Sequence, residues 1–250
     1  MSTDLAGRII IVTGASSGIG EAVARRSAAS GATTVLLARR EGRLRELSAE
    51  LEESLALPCD VTDQQAVADA VQAVISRYGR IDVLVNNAGR GLQAPIDHLD
   101  VEDLREVLEL NLVAPLRMMQ LVLPHMRARR SGSIVNIGSG ITFQHLPGTG
   151  GYAASKAALA QLSGVARAEL EGSGITVSTV YPFITATEFS GSLLGSRSDA
   201  AQLEAGHAPT PRDPGEVAEA VLEAAVTGVP QIDLVPERFG GSIREDHPAI

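Results

Sequence analysis

A doubly wound α/β sheet of about seven parallel strands, with helices on both faces, is the fold class this sequence predicts. Short apolar runs rich in β-branched residues alternate along the chain with longer helical patterns. The runs are continuously apolar rather than alternating, which is the pattern of strands buried on both faces. Nothing reads as a linker, a low-complexity tract or an internal repeat, so residues 1–250 are expected to form one domain.

Arg8–Thr13 reads as the first strand, followed by a helix from about Gly18 to Ser30. Thr33–Ala38 is the second strand, and a charged helix crosses Glu41–Glu53. A third strand ends near Pro58 and leads into a helix over Asp63–Tyr78, with Thr62 and Gln65 spaced as a capping box. Ile81–Val85 is the fourth strand, and Val101–Arg129 predicts a long helix with an acidic first turn. Ser133–Ile137, the helix Tyr152–Glu171 and the strand Ile175–Tyr181 follow. Asp213-Pro214-Gly215-Glu216 opens a further helix with an N-cap, a proline at the first position and a glutamate at the third. Gln231–Val235 is the last strand. The stretch Ser190–Pro211, rich in Gly, Ser, Ala and Pro, suits a small mobile substrate lobe around 187–212.

With 250 residues the chain can bury a sizeable core, and 44% hydrophobic with 20% charged residues is ordinary for a soluble globular protein. A formal net charge of −9 argues against nucleic-acid binding, because phosphate contacts want a basic face. The single cysteine, Cys59, excludes an internal disulfide, fits a reducing compartment and reads as a buried structural thiol. No segment reaches 18 uncharged apolar residues, so no simple membrane span is expected. The N-terminus lacks a basic stretch followed by an apolar one, so no signal peptide is expected and the location is read as cytoplasmic. His98, His125, His145, His207 and His247 lack metal-ligand spacing, and no metal site is expected.

The first strand runs into Thr13-Gly14-Ala15-Ser16-Ser17-Gly18-Ile19-Gly20 and then a helix. Glycines there permit a tight turn, a close approach of backbone to a pyrophosphate and close helix–strand packing. The helix N-terminus offers unpaired N–H groups and partial positive charge to the phosphates. The spacing is G-x-x-x-G-x-G rather than G-x-G-x-x-G, so the match is to the mechanism. At the end of the second strand, Ala38 stands where a carboxylate would receive a ribose 2′-hydroxyl, and Arg39 follows. A guanidinium suits a 2′-phosphate, so NADP(H) is expected over NAD(H).

Tyr152 and Lys156 lie one helical turn apart, with Ser139 upstream. A free tyrosine titrates near about 10. A cation about 4 Å away contributes about 4 kcal/mol at an effective dielectric of about 20, enough to lower the phenol pKa by up to about three units. Such a phenol can exchange a proton with a substrate oxygen near neutral pH.

With these motifs in this order, the chain resembles the short-chain dehydrogenase/reductase family, single-domain Tyr-x-x-x-Lys branch, over essentially residues 6–235. The resemblance implies a Rossmann-like fold. It implies that Gly14, Ser16, Ser17, Gly18, Ile19 and Gly20 form the cofactor turn, that Asp60 and Val61 contact the adenine, and that Asn87, Ala88 and Gly89 of Asn86-Asn87-Ala88-Gly89 lie beside the cofactor. It implies a catalytic set of Asn111, Ser139, Tyr152 and Lys156. Tyr152 would be the acid in reduction or the base in oxidation. Lys156 would hold the nicotinamide ribose and lower the tyrosine pKa. Ser139 would bond the substrate oxygen, and Asn111 would support a water leading to solvent. Pro182, Thr185 and Thr187 match the family's nicotinamide-contacting segment, although Phe183 replaces its usual glycine. The ending Phe239–Asp246 lacks the Val-Asp-Gly-Gly pattern of the tetrameric β-ketoacyl-carrier-protein reductases.

Leu92, Ile141, Phe143, Leu146, Phe183, Phe189 and Leu193 line the loops expected to face substrate, which predicts an apolar ketone, alcohol or acyl chain as the small-molecule partner. Apolar residues on the Tyr152–Glu171 helix (Ala157, Ala158, Leu159, Leu162, Val165, Ala166) extend beyond one stripe and fit a homodimer or homotetramer. The expected activity is an NADP(H)-dependent carbonyl reductase or alcohol dehydrogenase. The alternatives are a 3-oxoacyl-thioester reductase, an epimerase or dehydratase of the extended branch, and a cofactor-binding regulator without turnover.

Overall fold

The computed structural model describes residues 5–195 and 210–244. Seven strands form one sheet: β1 (Ile9–Thr13), β2 (Thr33–Ala38), β3 (Ser54–Pro58), β4 (Val83–Asn86), β5 (Gly132–Ile137), β6 (Ile175–Tyr181) and β7 (Gln231–Asp233). All six pairings are parallel, in the order β3-β2-β1-β4-β5-β6-β7. The chain winds outward from β1 to β3, then returns to lay β4 on the other side of β1 and continues to β7.

Alternate residues of each strand feed opposite cores. Ile10 and Val12 of β1 pack with Val23 and Ala24 of helix α1 (Gly18–Ala29), Leu44 and Leu47 of α2 (Glu41–Glu50) and Val217 and Val221 of the last helix, Pro214–Thr227. Ile9 and Ile11 face the other way, onto Val67, Val71 and Val74 of α3 (Gln64–Tyr78) and the helix Ala114–Arg129. Each fully buried Leu, Ile or Val contributes roughly 1.5–3 kcal/mol, which is why uninterrupted apolar strands select this two-sided arrangement. Cys59 belongs to the second core, and burial together with Asp60 and Asp63 pushes its thiol up to about 11. It is a structural thiol.

Three local expectations need correction. The cap of α3 is Asp63, whose carboxylate accepts from the N–H groups of Gln65 and Ala66 at 2.8 and 3.0 Å. Thr62 instead donates its hydroxyl to Asp60 at 2.8 Å. The helix expected over Val101–Arg129 is two pieces, α4 (Val101–Leu108) and α5 (Ala114–Arg129), joined by a π-helical turn at Glu109–Val113 that buries Asn111. The helix expected from Tyr152 begins earlier, as α6 (Gly150–Glu169). By length and composition the 101–129 run could cross a bilayer. Here Met118, Val122 and Met126 of that run lie in the core beneath the sheet.

Helix α7 (Pro214–Thr227) is capped as expected, Asp213 accepting from Gly215 N at 2.7 Å. Of the segment expected to form a lobe, residues 196–209 lie outside those described. Its first part is anchored: Leu194–Gly195 pairs with Leu92–Gln93 in a two-stranded parallel ladder beyond the main sheet.

Candidate active site

Because the chain reverses its direction of winding between β1 and β4, a crevice opens where their carboxyl ends diverge. The glycine turn after β1 lies on one side of it. Gly14 and Gly18 take positive φ angles of +66° and +56°. A Cβ on Gly20 would lie 2.4 Å from the Gly14 carbonyl oxygen and 2.5 Å from Asn87 Nδ2, so no larger residue fits. Asn87 closes the other side. Its side chain donates to the Thr13 carbonyl at 2.9 Å, and the N–H groups of Asn87 and Ala88 donate to Thr13 Oγ1 at 2.9 and 3.0 Å. The end of β4 is thereby tied to the end of β1.

Ser17, at the start of α1, makes no capping hydrogen bond to the helix. Its hydroxyl accepts from Arg40 Nη2 at 2.5 Å instead. By contrast α3, α4 and α7 are all capped by aspartates. The first turn of α1, with Ile19 and Gly20, therefore offers its N–H groups without a side-chain cap. That donor set, in a cradle that a Cβ would fill, fits the pyrophosphate of a dinucleotide.

At the far end of the crevice Arg39 is largely exposed and lies 3.8 Å from Asp60 Oδ2. Burial opposes ionisation of Asp60, but hydrogen bonds from the Thr62 N–H and hydroxyl, aided by Arg39, outweigh it and hold the carboxyl below its ordinary range. Val61 beside it is buried. Arg40, the residue after the expected Arg39, is the arginine that reaches the glycine turn. Its Nε donates to Ser16 Oγ at 3.0 Å.

The expected catalytic residues converge behind the other half of the crevice. Ser139 follows β5, accepts from Ile141 N at 3.3 Å, and stands near enough to the Tyr152 phenol of α6 to favour its ionised form. Lys156, one turn on, is buried and donates to the Ile137 carbonyl at 2.8 Å. Asn111 Oδ1 accepts from Arg90 N at 2.9 Å, and its Nδ2 donates to Arg90 O at 2.9 Å and to Ser155 Oγ at 3.0 Å. Gly89 is the meeting point: a Cβ there would lie 3.2 Å from Asn111 Oδ1 and 3.4 Å from Lys156 Nζ.

The electrostatics differ from the expectation. Burial pushes the Tyr152 phenol up to about 12, only partly offset by the nearby Ser139 hydroxyl. Burial pushes Lys156 down to about 8. The ammonium is directed at a backbone carbonyl, so desolvation of the phenol prevails over the lowering expected from a neighbouring cation.

The family model for short chain dehydrogenases matches residues 8–197. The chain is a short-chain dehydrogenase/reductase. Sulfoacetaldehyde reductase 2 of Chromohalobacter salexigens is 34% identical to it over 240 residues, 92% of this chain and 94% of that protein. The structure of a short-chain dehydrogenase from Streptomyces avermitilis matches with a TM-score of 0.84 at 35% identity, covering 92% of this chain and 88% of its own. The closed form of serine dehydrogenase complexed with NADP+ matches with a TM-score of 0.84 at 29% identity, covering 97% and 98% of the two chains.

In this short-chain dehydrogenase/reductase the segment after β6 folds across the crevice. The Pro182 carbonyl accepts from Gly140 N at 2.8 Å, which ties it to the Ser139 loop. Thr185 turns its hydroxyl onto the Phe183 carbonyl at 2.8 Å and bridges to Arg212. Thr187 seats its methyl on the glycine turn, 2.9 Å from where a Gly18 Cβ would stand. All four phenylalanines of the chain gather here. Phe189 meets the Tyr152 ring at 5.7 Å between centroids, Phe143 meets Tyr181 at 5.1 Å, and Phe183 meets Phe239 at 4.8 Å. Leu193 and Phe189 also lean on Gly91, so the start of the lobe roofs the tyrosine with apolar groups. Phe239 is held there by a return of the chain in which Ile243 N donates to the Val235 carbonyl at 3.1 Å.

Proposed function

We propose that this enzyme interconverts an apolar carbonyl compound and its secondary alcohol, with NADP(H) as the hydride carrier. The convergence of Ser139, the Tyr152 phenol and Lys156 about Gly89 beside the crevice carries the reading. When bound, the nicotinamide supplies or accepts the hydride. Ser139 and Tyr152 receive the substrate oxygen, and Tyr152 gives it the proton that completes the alcohol. A phenol held up to about 12 keeps that proton throughout the physiological range, which is the donor form reduction needs. Lys156 uses one N–H on Ile137 and has two left for ribose hydroxyls. Asn111 acts as a positioning residue, pinning the backbone of Arg90 beside Lys156.

Arg39, exposed at the adenosine end with Asp60 beyond it, supports the preference for NADP(H). Arg39→Ala is expected to raise the KM for NADP(H) roughly tenfold or more, the scale of one lost charge-assisted contact, and to leave the KM for NAD(H) nearly unchanged. Equal effects on the two would remove the assignment. The activity itself is tested by screening ketones, aldehydes and alcohols with both cofactors by reduced-nicotinamide absorbance. Binding of dinucleotide with no turnover across the panel would favour a regulatory protein.

We further propose that the enzyme is a homo-oligomer built on α6. Leu159 of that helix is buried in the core, while Val165 is 45% exposed on another side. Size-exclusion chromatography is expected to give a multiple of 26.0 kDa, and a species at 26.0 kDa would overturn this.

A further inference from the structure

Glu188 opens the short helical turn Glu188–Ser192, immediately after Thr187 seats on the glycine turn. Its two carboxylate oxygens are divided between two arginines on the opposite wall. Oε2 lies 2.8 Å from Arg40 Nη1 and Oε1 lies 2.7 Å from Arg43 Nη1. Arg40 is also the guanidinium that donates to Ser16 and Ser17, so its three nitrogens join the glycine turn, the end of β2 and the segment after β6. Two guanidinium groups converging on one point are the donors that bind a phosphate dianion. In this structure a carboxylate of the chain itself occupies them. All three side chains are about half exposed, so the pairs are open to exchange rather than locked in the core.

We propose that Glu188 is a cofactor-discriminating residue, an internal anion that competes with the 2′-phosphate of NADP(H) for Arg40 and Arg43. This rests on the reading of the crevice as a dinucleotide site with its adenosine end at Arg39 and Arg40. A cofactor bearing the 2′-phosphate must draw the arginines away from Glu188 and then stand close to a like charge. One without it leaves both ion pairs in place. Hydrogen bonds from Arg40 and Arg43 hold the Glu188 carboxyl below its ordinary range, so the competing charge is present at neutral pH. Glu188 thus opposes the preference that Arg39 and Arg40 create, and the balance between them sets the ratio of affinities.

Isothermal titration of NADPH and NADH into the full-length protein and its Glu188→Gln, Arg40→Met and doubly substituted variants tests this. Glu188→Gln, which keeps the size and removes the charge, is expected to tighten NADPH about tenfold and NADH less than about threefold. Arg40→Met is expected to weaken NADPH, and in the double variant the gain from Glu188→Gln should largely disappear. An unchanged or lowered ratio of NADPH to NADH affinity in Glu188→Gln overturns the proposal, as does equal tightening of both. A wild-type protein that binds NADH more tightly would overturn the preference for NADP(H) alone. The effect of Glu188 would still be read as a change in that ratio.

Discussion

Tyr152→Phe is expected to lower kcat for carbonyl reduction by about 10²–10⁴-fold while leaving the dissociation constant of the cofactor within about threefold. The phenyl ring retains the contact with Phe189 at 5.7 Å, so the roof over the site should survive. What disappears is the hydroxyl that stands beside Ser139 and is proposed to carry the proton. Steady-state kinetics and calorimetric binding together separate these outcomes. Turnover within tenfold of wild type would remove the phenol from the proton transfer and shift attention to solvent or Ser139.

Lys156→Met is expected to remove a similar share of turnover and, unusually for a core substitution, to raise stability at neutral pH. Burial lowers the folded-state pKa of Lys156 from 10.5 to about 8. Between those values the unfolded chain binds the extra proton and the folded chain does not, so stability rises with pH across that window. Below about pH 8 the cost of the buried ammonium is fully present, on the order of 3 kcal/mol before the lost bond to Ile137 is counted. Denaturation curves of the two proteins should therefore differ most below about pH 8 and converge above about pH 10.5. A variant less stable than wild type at pH 7, with the same gap at high pH, would show that the charge on Lys156 costs the fold nothing. Such a residue, held at a cost to stability, is what a chemical function leaves behind.

Much of the fold could be read directly from the residues because the sheet is buried on both sides. Thr33–Ala38 and Ile175–Tyr181 match their expected bounds because glycines precede them and Arg39 and Pro182 end them. The glycine turn was legible because positive φ angles and close approach leave only one residue type. The features that escaped are those a local pattern does not encode. A π-helical turn adds a residue without interrupting helical periodicity, so Val101–Arg129 reads as continuous. The spacing of Tyr152 and Lys156 puts them on one face, but burial and the Ile137 carbonyl decide their charges. Arg40 and Glu188 are 148 positions apart, and only the fold brings them together. Arg39, by contrast, could be found from its place after β2.

The protein has no tryptophan and three tyrosines. Two of them, Tyr152 and Tyr181, stand in ring contact with phenylalanines at the catalytic end, while Tyr78 lies on α3 beneath Arg77. Its ultraviolet emission therefore originates largely beside the candidate active site. The reduced-nicotinamide band overlaps the long-wavelength tail of tyrosine emission, so occupancy of the crevice should quench part of that light by energy transfer, with Tyr78 as the more distant reference. The clustering that roofs the site also makes it an optical reporter of its own ligands, with no label attached.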